Sequence, residues 1–391
     1  MADRAVWFRV TRESVPFFAL YALFFADRGL STAQIGVLIV CWSAAAFVLE
    51  VPSGALADTL DRRLLLIAAA LLYAGCFATW LLWPSFAGFL SGFLLWSISS
   101  ALTSGTWEAL LFDELAADGH AERYGKIRAR SESAAAFGAL AASAGAGPLY
   151  AAGGYRLVGA VTLAITGLHV AATWALPRAR PREQVAEPGS YLGSLRDGVR
   201  EARRNRVVHR ILLALVAPTA IVAFDEYLTL LFREGGLSVQ VVAWVAAGCV
   251  AAQAIGTALA DRLAGASRAV SVAVYAGSGL LIGAGALVAH PGGLTAVAVG
   301  YGVANAAMLA AEIRLQAAIV GASRATTTSV GGLVSEAAAI ISFGLVAVGS
   351  ERASLATVIG VVAVGFAVVA GISIARCDAP GYGWTTRSEV T

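Results

Sequence analysis

Charge is scarce in this chain. Of its 391 residues, 14% are Asp, Glu, Lys or Arg, against roughly a quarter in water-soluble domains. Hydrophobic residues make up 58% and the mean hydropathy is +0.75. The polar surface that a soluble fold of this size needs is therefore missing. Lysine is almost absent, Lys126 being the single one among 28 basic residues. The four cysteines, Cys41, Cys76, Cys249 and Cys377, form no C-x-x-C pair, which excludes a disulfide framework or a thiolate metal site. Four histidines without ligand spacing exclude a histidine-bound metal. No G-x-x-x-x-G-K-[ST] loop is present, so a built-in ATPase is excluded. No small-residue cleavage site follows Arg4, Arg9 and Arg12, so no cleavable signal peptide is expected.

What the chain has is long apolar runs. A bilayer core of about 30 Å takes about 20 helical residues. On that measure spans are predicted near 5–26, 33–57, 64–83, 86–112, 128–150, 155–176, 207–232, 239–260, 269–289, 292–318, 326–349 and 354–376. The expected fold class is an all-α membrane protein, twelve transmembrane helices in two six-helix bundles. The bundles cover residues 1–176 and 207–376, with a cytoplasmic connector at 177–206 and a tail at 377–391. With the N-terminus inside, all but Arg28, Arg156, Arg233 and Arg352 of the 28 basic residues fall on the inner side. That asymmetry puts both termini in the cytoplasm. The net charge of +3 thus reflects topology, and no nucleic-acid partner is expected. The connector repeats Leu192, Leu195, Val199 and Ala202 at helical spacing among arginines, the pattern of a helix that lies on membrane lipid.

An internal repeat is the most informative feature. Gly29-Leu30-Ser31 returns as Gly236-Leu237-Ser238, and Ala55-Leu56-Ala57-Asp58 as Ala258-Leu259-Ala260-Asp261. Glu108 returns as Glu312, and Ser131-Glu132 as Ser335-Glu336. Four short matches in one order at nearly one offset imply two six-span halves in the same orientation.

Between the second and third spans stands Gly54-Ala55-Leu56-Ala57-Asp58-Thr59-Leu60-Asp61-Arg62-Arg63. It resembles the G-x-L-A-D-R-x-G-R-[KR] loop of the major facilitator superfamily. Gly54, Asp58, Arg62 and Arg63 fit, Thr59 and Asp61 depart, and a weaker copy persists in Asp261 and Arg262. The resemblance implies the major facilitator fold and a loop that gates the cytoplasmic side. On the residues themselves, Asp58 is placed to cap the helix that begins near Arg62. Gly145, Gly147 and Pro148, followed by Gly153 and Gly154, are similar to a small-residue exporter pattern and suggest a bendable point. The stretch from Ser104 to Asp113 resembles a segment of bacterial members. The arginine that many exporters carry in the fourth span is missing, since none lies between Arg63 and Arg123.

Ionisable residues within spans are costly and mark cavities or partners. The candidates for proton or substrate handling are Arg12, Glu13, Glu50, Glu108, Asp225, Glu226, Glu312, Arg314 and Glu336. Glu50, two residues before Pro52, and Glu108 are expected at one depth with Arg12 nearby, a grouping suited to proton exchange or to a static ion pair. Acids outnumber bases within the spans, which suits protons and neutral or cationic amphipathic substrates. Trp42, Trp96, Trp107, Trp244, Tyr21 and Phe17 are candidates for an aromatic lining or for plain packing.

The reading that follows is a monomeric secondary transporter of a small molecule in the cytoplasmic membrane, working by alternating access and proton-coupled efflux, with no metal or cofactor. An importer or facilitator of a sugar or other metabolite is the alternative. A membrane-embedded enzyme lacks a nucleophile or metal constellation. A non-transporting receptor would have no use for the gating residues.

Overall fold

The structure is a computed structural model and describes residues 1–177, 206–288, 291–318 and 324–375. The amphipathic connector helix, the tail from residue 377, Cys377 and the side chain of Asp58 lie outside the described residues. Among those described, every regular element is helical. The chain divides into two compact units, Met1–Val185 with Leu237–Ala247, and Ala186–Gly236 with Gly248–Thr391.

In the first unit α1 (Ala2–Glu13), a 3-10 turn (Pro16–Ala19) and α2 (Tyr21–Asp27) make one interrupted span. Pro16 is the cause. It lacks an N–H and drives its predecessor out of the helical region, and Val15 is extended at φ −104°, ψ 106°. Helix α3 (Thr32–Thr59) follows, then α4 (Arg62–Leu82), α5 (Phe86–Thr103) and α6 (Thr106–Ala117). The fourth span, expected as one helix over 86–112, is thus broken at Ser104–Gly105, where Gly105 takes φ +70°.

Helix α7 (Tyr124–Trp174) holds two spans. Its interior break is at Gly153 and Gly154, the latter at φ +61°, a conformation open to glycine at little cost. Contacts with the first span show that the chain reverses there. Glu132 meets Arg9, Tyr155 meets Asp27, and His169 returns to Thr11.

The second unit contains α8 (Arg206–Val222), α9 (Asp225–Glu234), α10 (Val239–Ala264, its first residues clustering with the other unit), α11 (Arg268–Leu287), α12 (Pro291–Ala318), α13 (Arg324–Gly349) and α14 (Leu355–Ala375). Helices α8 and α9 meet at a 41° bend. Nine helices among the described residues are long and apolar enough to cross a membrane, or ten when the bent pair counts as one. Dividing α7 at its glycines and adding the interrupted first span makes the set consistent with the expected twelve.

The repeat copies fold alike. Gly29 and Gly236 both have left-handed φ, +92° and +87°. In both copies the serine two residues on caps the next helix, Ser31 accepting from Gln34 N and Ser238 from Val241 N. The interruption of the first span recurs too. Ser14–Val15 moved by the 207 residues between Gly29 and Gly236 falls at 221–222, next to the observed break between Val222 and Asp225.

Inside lipid, burial of apolar surface gives little drive for helix association, so close packing must supply it. The first unit packs aromatics. Phe25 stacks on Phe89 at 3.9 Å, and the fully buried Trp80 donates its indole N–H to the Phe89 carbonyl at 3.0 Å. The second unit packs backbones. A side chain added at Gly256 would overlap the Gly302 carbonyl, and one at Gly283 would sit 3.0 Å from that of Gly360.

Gly256→Val is therefore expected to destabilise the protein by about 1–3 kcal/mol through overpacking. Gly248→Ala, on the same helix with open space around it, is expected to change thermal unfolding in detergent little. Equal melting curves for the two variants would refute the close α10–α12 contact.

Candidate functional site

The breaks gather the ionisable residues. Arg12 and Glu13 end α1, Glu108 lies in the first turn of α6, and Asp225 and Glu226 open α9. Acids at a helix start meet its unsatisfied N–H groups and the positive end of its dipole, so the three acids that begin α6 and α9 are locally favoured there.

In the first unit these acids have cationic partners. Arg9 reaches Glu13 at 3.2 Å and Glu132 at 2.8 Å, tying α1 to α7. Glu108 pairs with Arg128 at 3.7 Å. Of the expected grouping, Glu108 lies within electrostatic reach of Arg12 without forming an ion pair with it. Arg128, read from sequence as a topology signal, is the partner of Glu108. Glu50 is exposed on a helix that continues through Pro52, with no ion pair. Arg12 is 8% exposed and pairs with no carboxylate among the described residues. Its guanidinium lies over the Tyr73 ring at 5.0 Å, one nitrogen is 3.5 Å from Ser100 Oγ, and Nη1 has no partner. Below it, Phe8 stacks on Trp107 at 4.3 Å, and Thr11 shares a hydrogen bond with buried His169 at 3.1 Å.

The loop after α3 is held within its own unit. Arg62, buried, pairs with Asp113 near the end of α6. Arg63 donates to the Trp174 carbonyl and lies over that indole at 5.8 Å. The cap of α4 is Asp61, which accepts from Leu64 N at 3.1 Å, and not Asp58 as expected. Helix α3 runs to Thr59, so Asp58 still belongs to the preceding helix, as Gly54 does. A residue that departs from the family pattern thus does the capping.

In the second unit the acids are held otherwise. Asp225 is exposed although its neighbours Phe224 and Tyr227 are buried. It accepts a hydrogen bond from Tyr301 Oη at 3.2 Å and makes no ion pair among the described residues. Tyr301, 3% exposed, is followed one turn on by Asn305, whose Nδ2 donates to the Tyr301 carbonyl at 2.9 Å and whose buried Oδ1 has no partner. Tyr227 donates to the Phe343 carbonyl at 3.1 Å. Glu226, Glu312 and Glu336 are half-buried.

Arg314 has a mechanical place. It is 4% exposed and donates to the carbonyls of Leu263, Ala264 and Ala266 at 2.8, 3.0 and 3.3 Å, and to Ser271 Oγ at 2.9 Å. It thereby closes the end of α10 and the loop copy containing Asp261 and Arg262, both exposed. Gly145, Gly147 and Pro148 lie in continuous helix. At Gly147 an added side chain would be 2.9 Å from the Gln240 carbonyl, so this glycine serves close packing within the first unit. Of the aromatic candidates, Phe17, Tyr21 and Trp107 are buried core, Trp244 is exposed, and Trp42 meets Trp96 at 5.2 Å.

Sequence reasoning missed Arg9, Asp113, Arg128, Glu132, Tyr301 and Asn305 as members of these clusters. Asn305 was findable, as a lone amide in an apolar run, and Glu132 as the partner copy of Glu336.

A protein-family model described as Major Facilitator Superfamily matches residues 5–343. No curated protein matches the chain. Among solved structures it is similar to the nucleoside transporter NupG, at 14% identity over 95% of this chain and 96% of that one, with a TM-score of 0.72. A bacterial homologue of the human lysosomal transporter Spinster follows at 16% identity, 96% and 94% coverage and 0.70. A D-xylose-proton symporter gives 14%, 94% of each chain and 0.62. At these identities the likeness shows the fold.

Arg314→Gln should remove the buried hydrogen bonds that close the end of α10 and destabilise the protein by about 2–4 kcal/mol. Arg314→Lys, a single point donor in place of a planar fork, should recover less than half of that loss. Thermal unfolding of the purified variants in detergent checks this, and a melting curve of Arg314→Gln matching wild type would refute the loop closure.

Proposed function

The chain belongs to the major facilitator superfamily, and from that premise we propose that it is a secondary active transporter exporting a small amphipathic molecule, neutral or cationic, in exchange for protons. The two repeats would alternate access to a central site, as in transporters built from repeats. The carrying observation is the contrast between the acids at the breaks. Glu13, Glu132 and Glu108 each have an arginine, and protonating a carboxylate so paired would strand the cation, at a cost of several kcal/mol when buried. Asp225 has a neutral hydroxyl as partner. It can take a proton or a cationic group without leaving a charge uncompensated. Asp225, with Glu226 beside it, is therefore the proposed exchange site, in place of the Glu50–Glu108 pair suggested by the sequence.

The similar structures carry names with different cargoes, a nucleoside in one and xylose with a proton in another, which supports transport but selects no substrate. Two further acids within spans of the second unit, Glu312 and Glu336, favour cationic over anionic cargo. On the distribution of its arginines we assign the protein to the cytoplasmic membrane with both termini inside.

The test is purified protein in liposomes with an imposed pH gradient and an internal pH dye, challenged with a panel of lipophilic cations and neutral amphipaths. Asp225→Asn is expected to reduce substrate-evoked proton flux by about tenfold or more, while Glu50→Gln leaves it within about twofold of wild type. Undiminished flux in Asp225→Asn would remove that residue from coupling. Wild-type transport indifferent to the gradient would favour an importer or facilitator of a metabolite.

A further inference from the structure

The hydrogen bond between Tyr301 and Asp225 joins two parts of the second unit that are mounted very differently. Tyr301 stands on α12, and the residue after it, Gly302, is pressed against α10. A side chain at Gly302 would lie 2.6 Å from the Ala252 carbonyl, and one at Gly256 would overlap the Gly302 carbonyl. No space remains for that stretch of α12 to slide or rotate. The Tyr301 carbonyl is also held from within by Asn305, which is fully buried. The tyrosine is thus a fixed post.

Asp225 stands on a joint. It is the first residue of α9, next to the two residues where the helical path turns by 41°. Below the joint Ser342 of α13 donates to the Ala220 carbonyl at 2.8 Å, and above it Tyr227 donates to the Phe343 carbonyl at 3.1 Å. Both flanking contacts go to α13. The bond from Tyr301 comes from α12 and meets the joint itself.

We propose that Tyr301 is a positioning residue which pins the bend of the seventh span through Asp225, and that the charge on Asp225 sets the strength of the pin. This rests on the reading of Asp225 as the exchange site. A hydroxyl donating to a carboxylate makes a bond about twice as strong as one to a neutral acceptor. With Asp225 ionised the joint is held to the fixed post. With the acid protonated, or its charge taken up by a cationic group, the bond weakens and the joint is freed. The groups around Asp225 leave this control to Tyr301. Glu226 follows it on α9, Cys249 of α10 lies within electrostatic reach, and among the described residues no arginine or lysine pairs with it. Charge at the site thereby becomes movement of a helix that the rest of the unit holds still.

The test needs no substrate. Backbone hydrogen–deuterium exchange is followed over residues 223–234 in the full-length protein in lipid nanodiscs at pH 8 and pH 5, corrected for the pH dependence of intrinsic exchange. In wild type the opening equilibrium of this segment is expected to rise about fivefold from pH 8 to pH 5. In Tyr301→Phe it should stand at the wild-type pH 5 level at both pH values, with exchange over residues 275–287 of α11 unchanged as a control for the fold. Tyr301→Phe matching wild type at pH 8 would overturn the proposal. A segment that opens in Tyr301→Phe while wild type ignores pH would keep the pin and overturn its control by Asp225 charge, a failure of the exchange-site reading. If Tyr301→Phe unfolds, Asp225→Ala removes the acceptor instead and must give the same opening at both pH values.

Discussion

Everything in this molecule answers to one constraint: in lipid, a backbone N–H or C=O without a partner costs several kcal/mol, so a helix may be interrupted only where something else meets the freed groups. Among the described residues three spans are interrupted, and each interruption is provided for. At Ser14–Val15 the lost helical bonds are offset by proline, which has no N–H to satisfy, and by a short 3-10 turn. At Ser104–Gly105 the new helix start receives Glu108 in its first turn. At Ala223–Phe224 it receives Asp225 and Glu226. The acids are thus part of what makes the breaks tolerable. The ionisable groups at membrane depth and the irregular backbone at membrane depth are two aspects of one arrangement.

The same constraint explains how the two copies of the short inner loop are held. Each loop follows a long helix that ends with carbonyls to satisfy. In the first unit the helix that follows the loop supplies the cations from its first turn, Arg62 reaching Asp113 and Arg63 reaching the Trp174 carbonyl. In the second unit the cation comes from outside the loop, Arg314 of α12 spreading its donors over the Leu263 and Ala264 carbonyls that end α10 and the Ala266 carbonyl just after it. The repeat conserves the need for a guanidinium at this level and exchanges its origin. Packing differs between the copies in a comparable way. Stacked aromatics fill the first bundle, whereas glycines let backbones of the second approach closely.

How much of this was legible in the sequence depended on the range of the interaction. Gly29-Leu30-Ser31 and its copy could be read because a left-handed glycine and a serine cap are local events, complete within five residues. The spans could be read because their length is set by the bilayer. The break in the first span had a local signal too, Val15-Pro16, which the apolar run around it concealed. The bend near Phe224 had none, and at Ser104–Gly105 the glycine alone could not distinguish a break from a packing contact. Partners were the least legible. Arg128 looked like one more inner-side arginine and turned out to hold Glu108. Asp58 looked like the cap, and Asp61, three residues later, has the register to reach Leu64 N. A family pattern records which residue types recur at a site. It does not record which of two neighbouring aspartates meets the helix.

The two units consequently offer different chemistry from one ancestral plan. Counting charges along the spans gave an excess of acid and suggested that any of the acids was available. The structure separates them. In the first unit Glu13, Glu132 and Glu108 are committed to Arg9 and Arg128, and Arg12 is a buried cation with no carboxylate partner among the described residues. In the second unit the acid at the bend leans on a phenol, a partner that binds either protonation state and insists on neither. A group held by an opposite charge is mechanically useful because it does not change. A group held by a neutral donor can change and be felt to have changed, since the same bond is stronger in one state than in the other. That difference assigns the first unit's ion pairs to holding shape and gives the bend of the seventh span an acid whose state the surrounding helices can read.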